Sequence, residues 1–305
     1  MKAIRIHAYG HSDKLKLEET PRPVIGRGEV LIQIRDAGVN PVDWKIREGF
    51  LKDYIPSELP LTVGQDVAGV IAEAGPDVKG FKKGDEVFGF GLGSYAEFAA
   101  ARPSELAHKP HSTDFETAAA IPTAGLTAWQ AVVELARVTA GQRVLIHGGA
   151  GGVGSFAVQI ARLRGARVAA TASARDLREL EEMGVKPVID YRAERFEKLI
   201  KDADAVIDLV GGDTLKRSYQ VLRKGGVLVT TVGPADPGRA KDAGIRAIAM
   251  MMRRDGAGLA EIARLIDDGA LKPRLDAVLA LSEARKAQDL SQKGKSHGKI
   301  VLRVV

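Results

Sequence analysis

Over the first 115 or so residues the apolar positions fall into short β-prone runs, at Lys2–His7, Glu29–Ala37, Val67–Ala74, Glu86–Phe90 and Tyr95–Ala101. Glycine and proline punctuate them, in Pro21-Arg-Pro23, Gly26-Arg-Gly28, Ala74-Gly-Pro-Asp77 and Lys83-Gly-Asp85. That texture predicts a compact antiparallel barrel-like domain. From Asp114 the period lengthens. Asp114–Ile121 offers an N-cap residue followed by helix formers, and Leu126–Arg137 is strongly helical. Strand and helix patterns then alternate. Strands are expected at 143–147, 167–172, Pro187–Asp190, Asp204–Val210 and Val227–Val232 and in the run Ile245–Met252, with helices after Gly152, at Asp176–Met183, near 194–200 and near 213–222. Six parallel strands separated by helices make a doubly wound sheet. A helix at Leu259–Asp268 and a strand at Lys299–Val304 close the chain. The tail is expected to pair with the first domain, which gives a discontinuous domain, 1–116 with 257–305, around a nucleotide-binding insert at 117–256.

The junction at Val144–Gly154 organises the second half. A strand-length run enters a glycine cluster in which Gly149, Gly151 and Gly154 fit G-x-G-x-x-G, and a helical pattern and a second strand follow. In such a turn one glycine permits the reversal, one lets the backbone approach a pyrophosphate, and one lets the helix pack against the strand. The helix start offers free N–H groups and the positive end of its dipole to phosphates. Gly149, Gly151, Gly152, Val153 and Gly154 are therefore candidate cofactor-binding residues.

Composition narrows the classes. The 305 residues suggest two domains, and 45% hydrophobic with 28% charged residues describes an ordinary globular chain. No apolar run reaches membrane-span length, and the first residues read as a strand, so a cytoplasmic protein is expected. The absence of cysteine excludes disulfides, thiolate nucleophiles and cysteine-ligated metals. A net charge of +6 is spread over scattered Lys and Arg, which suits an anionic cofactor better than a nucleic-acid face.

Several motifs in order carry a family resemblance. Ala37-Gly-Val-Asn-Pro-Val-Asp-Trp-Lys45, Gly64-Gln-Asp-Val-Ala-Gly-Val70, Gly84-Asp-Glu-Val87, Ala124-Gly-Leu-Thr-Ala-Trp129, the glycine turn and Gly298-Lys-Ile-Val-Leu302 resemble the quinone oxidoreductase and enone reductase branch of the medium-chain dehydrogenase/reductase superfamily, over essentially the whole chain. The resemblance implies an α/β fold in which a Rossmann sheet is inserted into a GroES-like β-barrel catalytic domain. Where the alcohol dehydrogenases of that superfamily carry zinc ligands and a proton-relaying hydroxyl, this chain has Asn40, Gln65-Asp66 and Val42. Amides are poor zinc donors, so no metal is expected. Without a Lewis acid the fitting acceptor is one that delocalises the incoming charge itself, a quinone or an α,β-unsaturated ketone. The implied activity is reduction of quinones; reduction of a conjugated C=C bond is the first alternative, and a non-catalytic NADPH- or RNA-binding protein the second.

The strand at 167–172 ends in Thr171-Ala-Ser-Ala-Arg-Asp176, with small residues where an NAD-specific unit has an acid. Ser173 and Arg175 are read as binders of a 2′-phosphate, hence NADPH, with Asp176 as the cap of the following helix. The resemblance adds Thr127 near the nicotinamide, Tyr191 beside the adenine ribose, and Lys299 near the cleft. Val210, Gly211 and Gly233 end strands where an open parallel sheet places its ligand. At the reacting end Asn40, Lys45 and Tyr54 are the candidate catalytic residues. Asn40 would donate to a substrate oxygen, Lys45 would meet a developing enolate or hydroquinone oxygen, and Tyr54, in the loop Phe50–Pro56, would supply a proton. Asp43 is read as ordering a turn, His147 as structural, and the run Ile245–Met252 as an edge strand that pairs in a homodimer.

Overall fold

The computed structural model describes residues 1–54, 58–294 and 296–304, and these divide into two compact units. The first comprises Met1–Thr123 and Arg254–Val305, the second Ala124–Arg253. The division falls at 123/124 and 253/254 rather than at 116/117 and 256/257, because the helix at Phe115–Ala119 packs on strands of the first unit.

The first unit opens with β1 (Lys2–Ile6) and β2 (Lys16–Glu19), followed by the long β3 (Val30–Val39). Asn40 then begins α1 (Pro41–Arg47), where proline at the first helical position costs no hydrogen bond. Strands β4 (Leu61–Thr62), β5 (Asp66–Ala74), β6 (Glu86–Phe90), β7 (Phe98–Ala101) and β8 (Leu106–His108) and helix α2 (Phe115–Ala119) follow, the last capped by the Asp114 carboxylate on Thr117 N–H. The second unit alternates: α3 (Pro122–Trp129), whose first residues belong to the first unit, then β9 (Arg143–His147), α4 (Gly152–Leu163), β10 (Arg167–Ala172), α5 (Leu177–Glu182), β11 (Val188–Asp190), α6 (Phe196–Leu199), β12 (Ala203–Asp208), α7 (Gly212–Ser218), β13 (Leu222–Thr230), α8 (Pro237–Ala243) and β14 (Arg246–Ala249). The chain returns to the first unit with α9 (Gly256–Asp267), β15 (Leu275–Ala280), α10 (Ala284–Gln292) and β16 (Lys299–Arg303).

In the second unit the six strands are parallel, in the order β11-β10-β9-β12-β13-β14. The order reverses between β9 and β12, as in a doubly wound nucleotide-binding sheet. The first unit holds a sheet ordered β15-β16-β3-β5-β6-β8, with β7 also on β3, and a three-stranded sheet β2-β1-β4. This is the Rossmann-in-GroES-like fold. Each unit has its own apolar core, around Ile32, Val67 and Tyr95 in one and Leu145, Val206 and Leu228 in the other.

Three departures from the sequence reading have local causes. The segment after Asn40 is helix α1, not a turn. The expected helix at Leu126–Arg137 begins at Pro122 and widens into a π-helical segment at Gln130–Leu135, where the Gln130 side chain exchanges hydrogen bonds with the Arg253 backbone. The tail also carries β15 and α10, which no clear alternation announced. Its last strand does pair with the first unit: β16 runs antiparallel to β3 with Ile300 opposite Val39.

Candidate active site

In the second unit the strand ends are in register. Residues His147, Thr171, Asp208 and Thr230 are neighbours across β9, β10, β12 and β13, so the segments that follow them leave the sheet on one edge. The glycine turn is the first of these. A Cβ on Gly154 would lie 2.0 Å from the Gly148 carbonyl, and one on Gly149 2.8 Å from Ala170 Cβ, so both positions require glycine for packing. At Gly151 the nearest atom to an added Cβ is 3.4 Å away. No packing demand fixes that glycine, and no side chain caps α4 there, which leaves a cradle and helix-start N–H groups suited to a phosphate. Asp208, fully buried, accepts the N–H groups of Val210 and Gly211 and the Thr230 hydroxyl, fixing the loop after β12. Gly211 takes a positive φ of 77° there and Gly233, after β13, one of 94°, while Val210 is exposed.

His147 is wholly structural. Its two ring nitrogens contact Thr171 Oγ1 and Ser218 Oγ, and burial drives its pKa down to about 3, so the ring is neutral. Thr127 is buried in α3.

After β10, Ser173 and Arg175 stand with Asp176. Ser173 Oγ donates to Asp176 Oδ2 at 2.6 Å, and Arg175 Nε is 4.0 Å from the same oxygen. Asp176 is buried and makes no side-chain cap on α5, so its expected role as a cap is corrected. A buried carboxylate here takes the serine hydroxyl in place of helix N–H groups. Because β11 lies beside β10 with Asp190 opposite Ala172, Tyr191 follows an adjacent strand end; it is half exposed, and the Arg192 guanidinium stands 5.5 Å from its ring centre. Arg192 escaped the sequence reading, though the Tyr-Arg pair after a predicted strand signals it.

In the first unit the pairing of β16 with β3 sets Lys299 against Asn40, 259 positions apart in the chain. Lys299 is buried, its Nζ donating to Val39 O at 2.9 Å and to Asn40 Oδ1, with Asp66 Oδ2 at 3.9 Å. Its amine is thus engaged inside the unit, by Val39, Asn40 and Asp66. Asp66 accepts both the hydroxyl and the N–H of Thr123, at 2.5 and 3.1 Å. Asp43 accepts the Asn40 N–H at 2.7 Å and the Tyr95 hydroxyl at 2.8 Å. Burial, together with the charge of Asp66, pushes the Asp43 carboxyl up to about 7. Burial raises Asp66 and lowers Lys299, each opposed by the charge of the other. Asn40 Nδ2, lying beside the Asp66 carboxylate, is buried and closes no hydrogen bond.

The other expected catalytic residues sit differently. Lys45 is half buried on α1, its Nζ 5.6 Å from the Trp44 ring centre, and Trp44 meets Phe50 edge to face. Tyr54 is 78% exposed and makes no described side-chain contact to the Asn40 cluster; Ile55 and Pro56 of its loop lie outside the described residues. Among the described residues no three His, Cys, Asp or Glu side chains group as a metal site, and no helix is long and apolar enough to cross a membrane.

The sequence matches two family models, the alcohol dehydrogenase GroES-like domain over residues 26–111 and the zinc-binding dehydrogenase over residues 183–302. It is 36% identical to the 2-methylene-furan-3-one reductase of Solanum lycopersicum, over 99% of this chain and 79% of that one. The chain belongs to the medium-chain dehydrogenase/reductase superfamily. Within the superfamily it is similar also to the NADPH-dependent alkenal/one oxidoreductase of Arabidopsis thaliana, again 36% identical over 99% of this chain and 79% of the relative. The solved quinone oxidoreductase of Coxiella burnetii superposes with a TM-score of 0.92 at 36% identity, covering 100% of this chain and 99% of that one. These similarities place this superfamily member in the quinone oxidoreductase and enone reductase branch.

Proposed function

We propose that the protein is an NADPH-dependent reductase of quinones, working without zinc, with reduction of a conjugated C=C bond as the neighbouring activity of the same site. The carrying observation is the buried cluster in the first unit. At the positions where alcohol dehydrogenases hold zinc, Asn40 and Gln65 offer amides, and Asp66 is engaged by Thr123 and Lys299. That donor set suits hydrogen bonding to an oxygen and not tetrahedral coordination of zinc. The name of the family model over residues 183–302 is no obstacle, since the candidate ligand positions lie outside that span.

NADPH supplies a hydride when bound. Gly151, Gly152, Val153 and Gly154 would hold its pyrophosphate on the α4 start, the Val210–Gly211 and Gly233 segments would border the nicotinamide half with Thr127, and Tyr191 would flank the adenine ribose. Ser173, Arg175 and Arg192 would receive the 2′-phosphate. The relatives' names support this cofactor and both acceptor classes. On the acceptor, Asn40 Nδ2 would donate to the oxygen that gains charge, and fixed donors of this kind act without reorganising as the charge develops. Lys45 would add a positive charge, and Trp44 with Phe50 an aromatic surface for a planar ring. Tyr54, exposed on its loop, would supply a proton from solvent.

The supporting test is product analysis. Chelator-treated protein with NADPH is offered an ortho-quinone and an unsaturated ketone in parallel. Hydroquinone as the faster product supports the leading activity, and a ketone saturated at its C=C bond moves the assignment to enone reduction.

The same reading includes a cytoplasmic homodimer. Among the described residues strand β14 is the edge of its sheet, pairing only with β13, and it continues into the half-exposed Met250 and exposed Met251. Pairing with a second copy would cover it. Light scattering should return twice the 32.5 kDa chain mass at micromolar concentration; the single mass would refute the dimer.

A further inference from the structure

The polar side chains from Arg254 to Asn40, all in the first unit, form one connected run, with donors leading from Arg254 to Asp66 on one side and from Lys299 to Asn40 on the other. Arg254 Nη2 can only donate, and it gives to Gln65 Oε1 at 3.2 Å. The Gln65 amide therefore presents Nε2 to Thr123 Oγ1, at 3.1 Å. With its oxygen so engaged, the Thr123 hydroxyl gives its proton to Asp66 Oδ1. Asp66 in turn faces the Lys299 ammonium, which donates to Val39 O and Asn40 Oδ1. A lysine cannot accept, so this last bond fixes which way the Asn40 amide is turned: oxygen toward Lys299, Nδ2 left over. That Nδ2 is buried and lies beside the Asp66 carboxylate, yet closes no hydrogen bond. A buried donor that closes no hydrogen bond is costly, and such a group in a functional site calls for a ligand.

We infer that Lys299 is a positioning residue: anchored beside Asp66, it turns and polarises the Asn40 amide so that Nδ2 stands ready for the substrate oxygen. The inference rests on the reading of Asn40 as the substrate-oxygen donor. Its chemistry is electrostatic. A positive charge on the amide oxygen draws electron density from the amide nitrogen and strengthens its N–H as a donor, within an interior where such polarisation is weakly screened. The Asp43 carboxyl holds the backbone of the same residue through its N–H, so both ends of Asn40 are fixed by buried groups.

The test is a double-mutant cycle on kcat/KM for an ortho-quinone at saturating NADPH, with NADPH affinity followed by fluorescence. Asn40→Asp keeps an oxygen for Lys299 and lacks the N–H; Asn40→Ala removes both. Each is expected to lose about 100-fold, the scale for one lost donor to a developing charge. Lys299→Met should lose a similar factor. Lys299→Met with Asn40→Ala should lose no more than Asn40→Ala alone, with NADPH affinity held within about twofold throughout. Losses that multiply, to about 10,000-fold, would mean that Lys299 acts independently of Asn40 and would overturn the inference; so would wild-type turnover in Lys299→Met. Full activity in both Asn40 variants would instead sink the underlying reading of the donor. If Lys299→Met alone fails to fold around the stranded carboxylate, Asp66→Asn is included in every arm and the same criterion applies.

Discussion

Ser173 donates its hydroxyl to the Asp176 carboxylate at 2.6 Å, at the end of β10 where the proposed function puts the 2′-phosphate. A carboxylate one residue from Arg175 offsets part of the charge that would favour NADPH, and the serine must leave it to meet a phosphate. On that reading cofactor choice rests on a balance among Ser173, Arg175, Asp176 and Arg192. Arg175→Ala should raise KM for NADPH about tenfold with little change for NADH, the scale of one charge-assisted contact. Asp176→Asn, which keeps an acceptor for Ser173, should lower KM for NADPH and leave NADH as it was. Steady-state kinetics with both cofactors decides it, and equal changes for the two would contradict the assignment.

Asp43 gives the reductase a predicted pH dependence. Its carboxyl is raised by burial and by Asp66 to about 7, so as pH rises through that value Asp43 adds a negative charge to the cluster it forms with Asp66 and Lys299. That charge opposes the one developing on an oxygen at Asn40. Activity, as kcat/KM, should fall as pH rises through about 7 and should be flatter in Asp43→Asn. Stability follows the same sign. The folded state holds a proton that the unfolded chain releases near 3.8, so stability contributed by Asp43 is full below that value and is lost as pH climbs to about 7. Melting curves should show Asp43→Asn gaining on the parent between about pH 4 and about pH 7. A constant gap, or an unchanged activity profile, would show that Asp43 does not titrate there.

Two glycines of one turn should fail differently. Alanine at Gly154 drives a methyl into the Gly148 carbonyl and should lower Tm by several degrees, a loss of packing of about 1–3 kcal/mol. Alanine at Gly151 meets no atom closer than 3.4 Å and should leave Tm within about 2 °C while weakening NADPH binding tenfold or more, because its methyl occupies the space for the pyrophosphate. Thermal melts and NADPH titration separate the two. Unchanged NADPH affinity in Gly151→Ala would remove the phosphate from this cradle.

Much of this is legible in the sequence. Glycine, strand and helix periods announce β9, the turn and α4, since each rule is local and its residues are contiguous. Asn40 stood out for the same reason, by its place in a contiguous motif. What stayed hidden is long-range. Nothing local to Lys299 says that β16 will lie beside β3 and deliver its amine to Asn40, and nothing near Tyr95 announces its bond to Asp43. Asp176 looked like a helix cap because aspartate before a helix usually is one; the Ser173 hydroxyl, three residues back, took it instead. Helix α1 could have been read from Asn40 followed by proline, a start signal that the turn propensity of the same pair obscured.

The most direct test of the central claim is NADPH consumption by purified protein dialysed against a strong chelator, followed by absorbance with an ortho-quinone as acceptor. The account predicts turnover undiminished by chelation and not increased by added zinc, with hydroquinone accumulating in step with NADPH loss. Turnover that vanishes on chelation and returns with zinc, or tight NADPH binding with no oxidation in the presence of either quinone or enone, would contradict it.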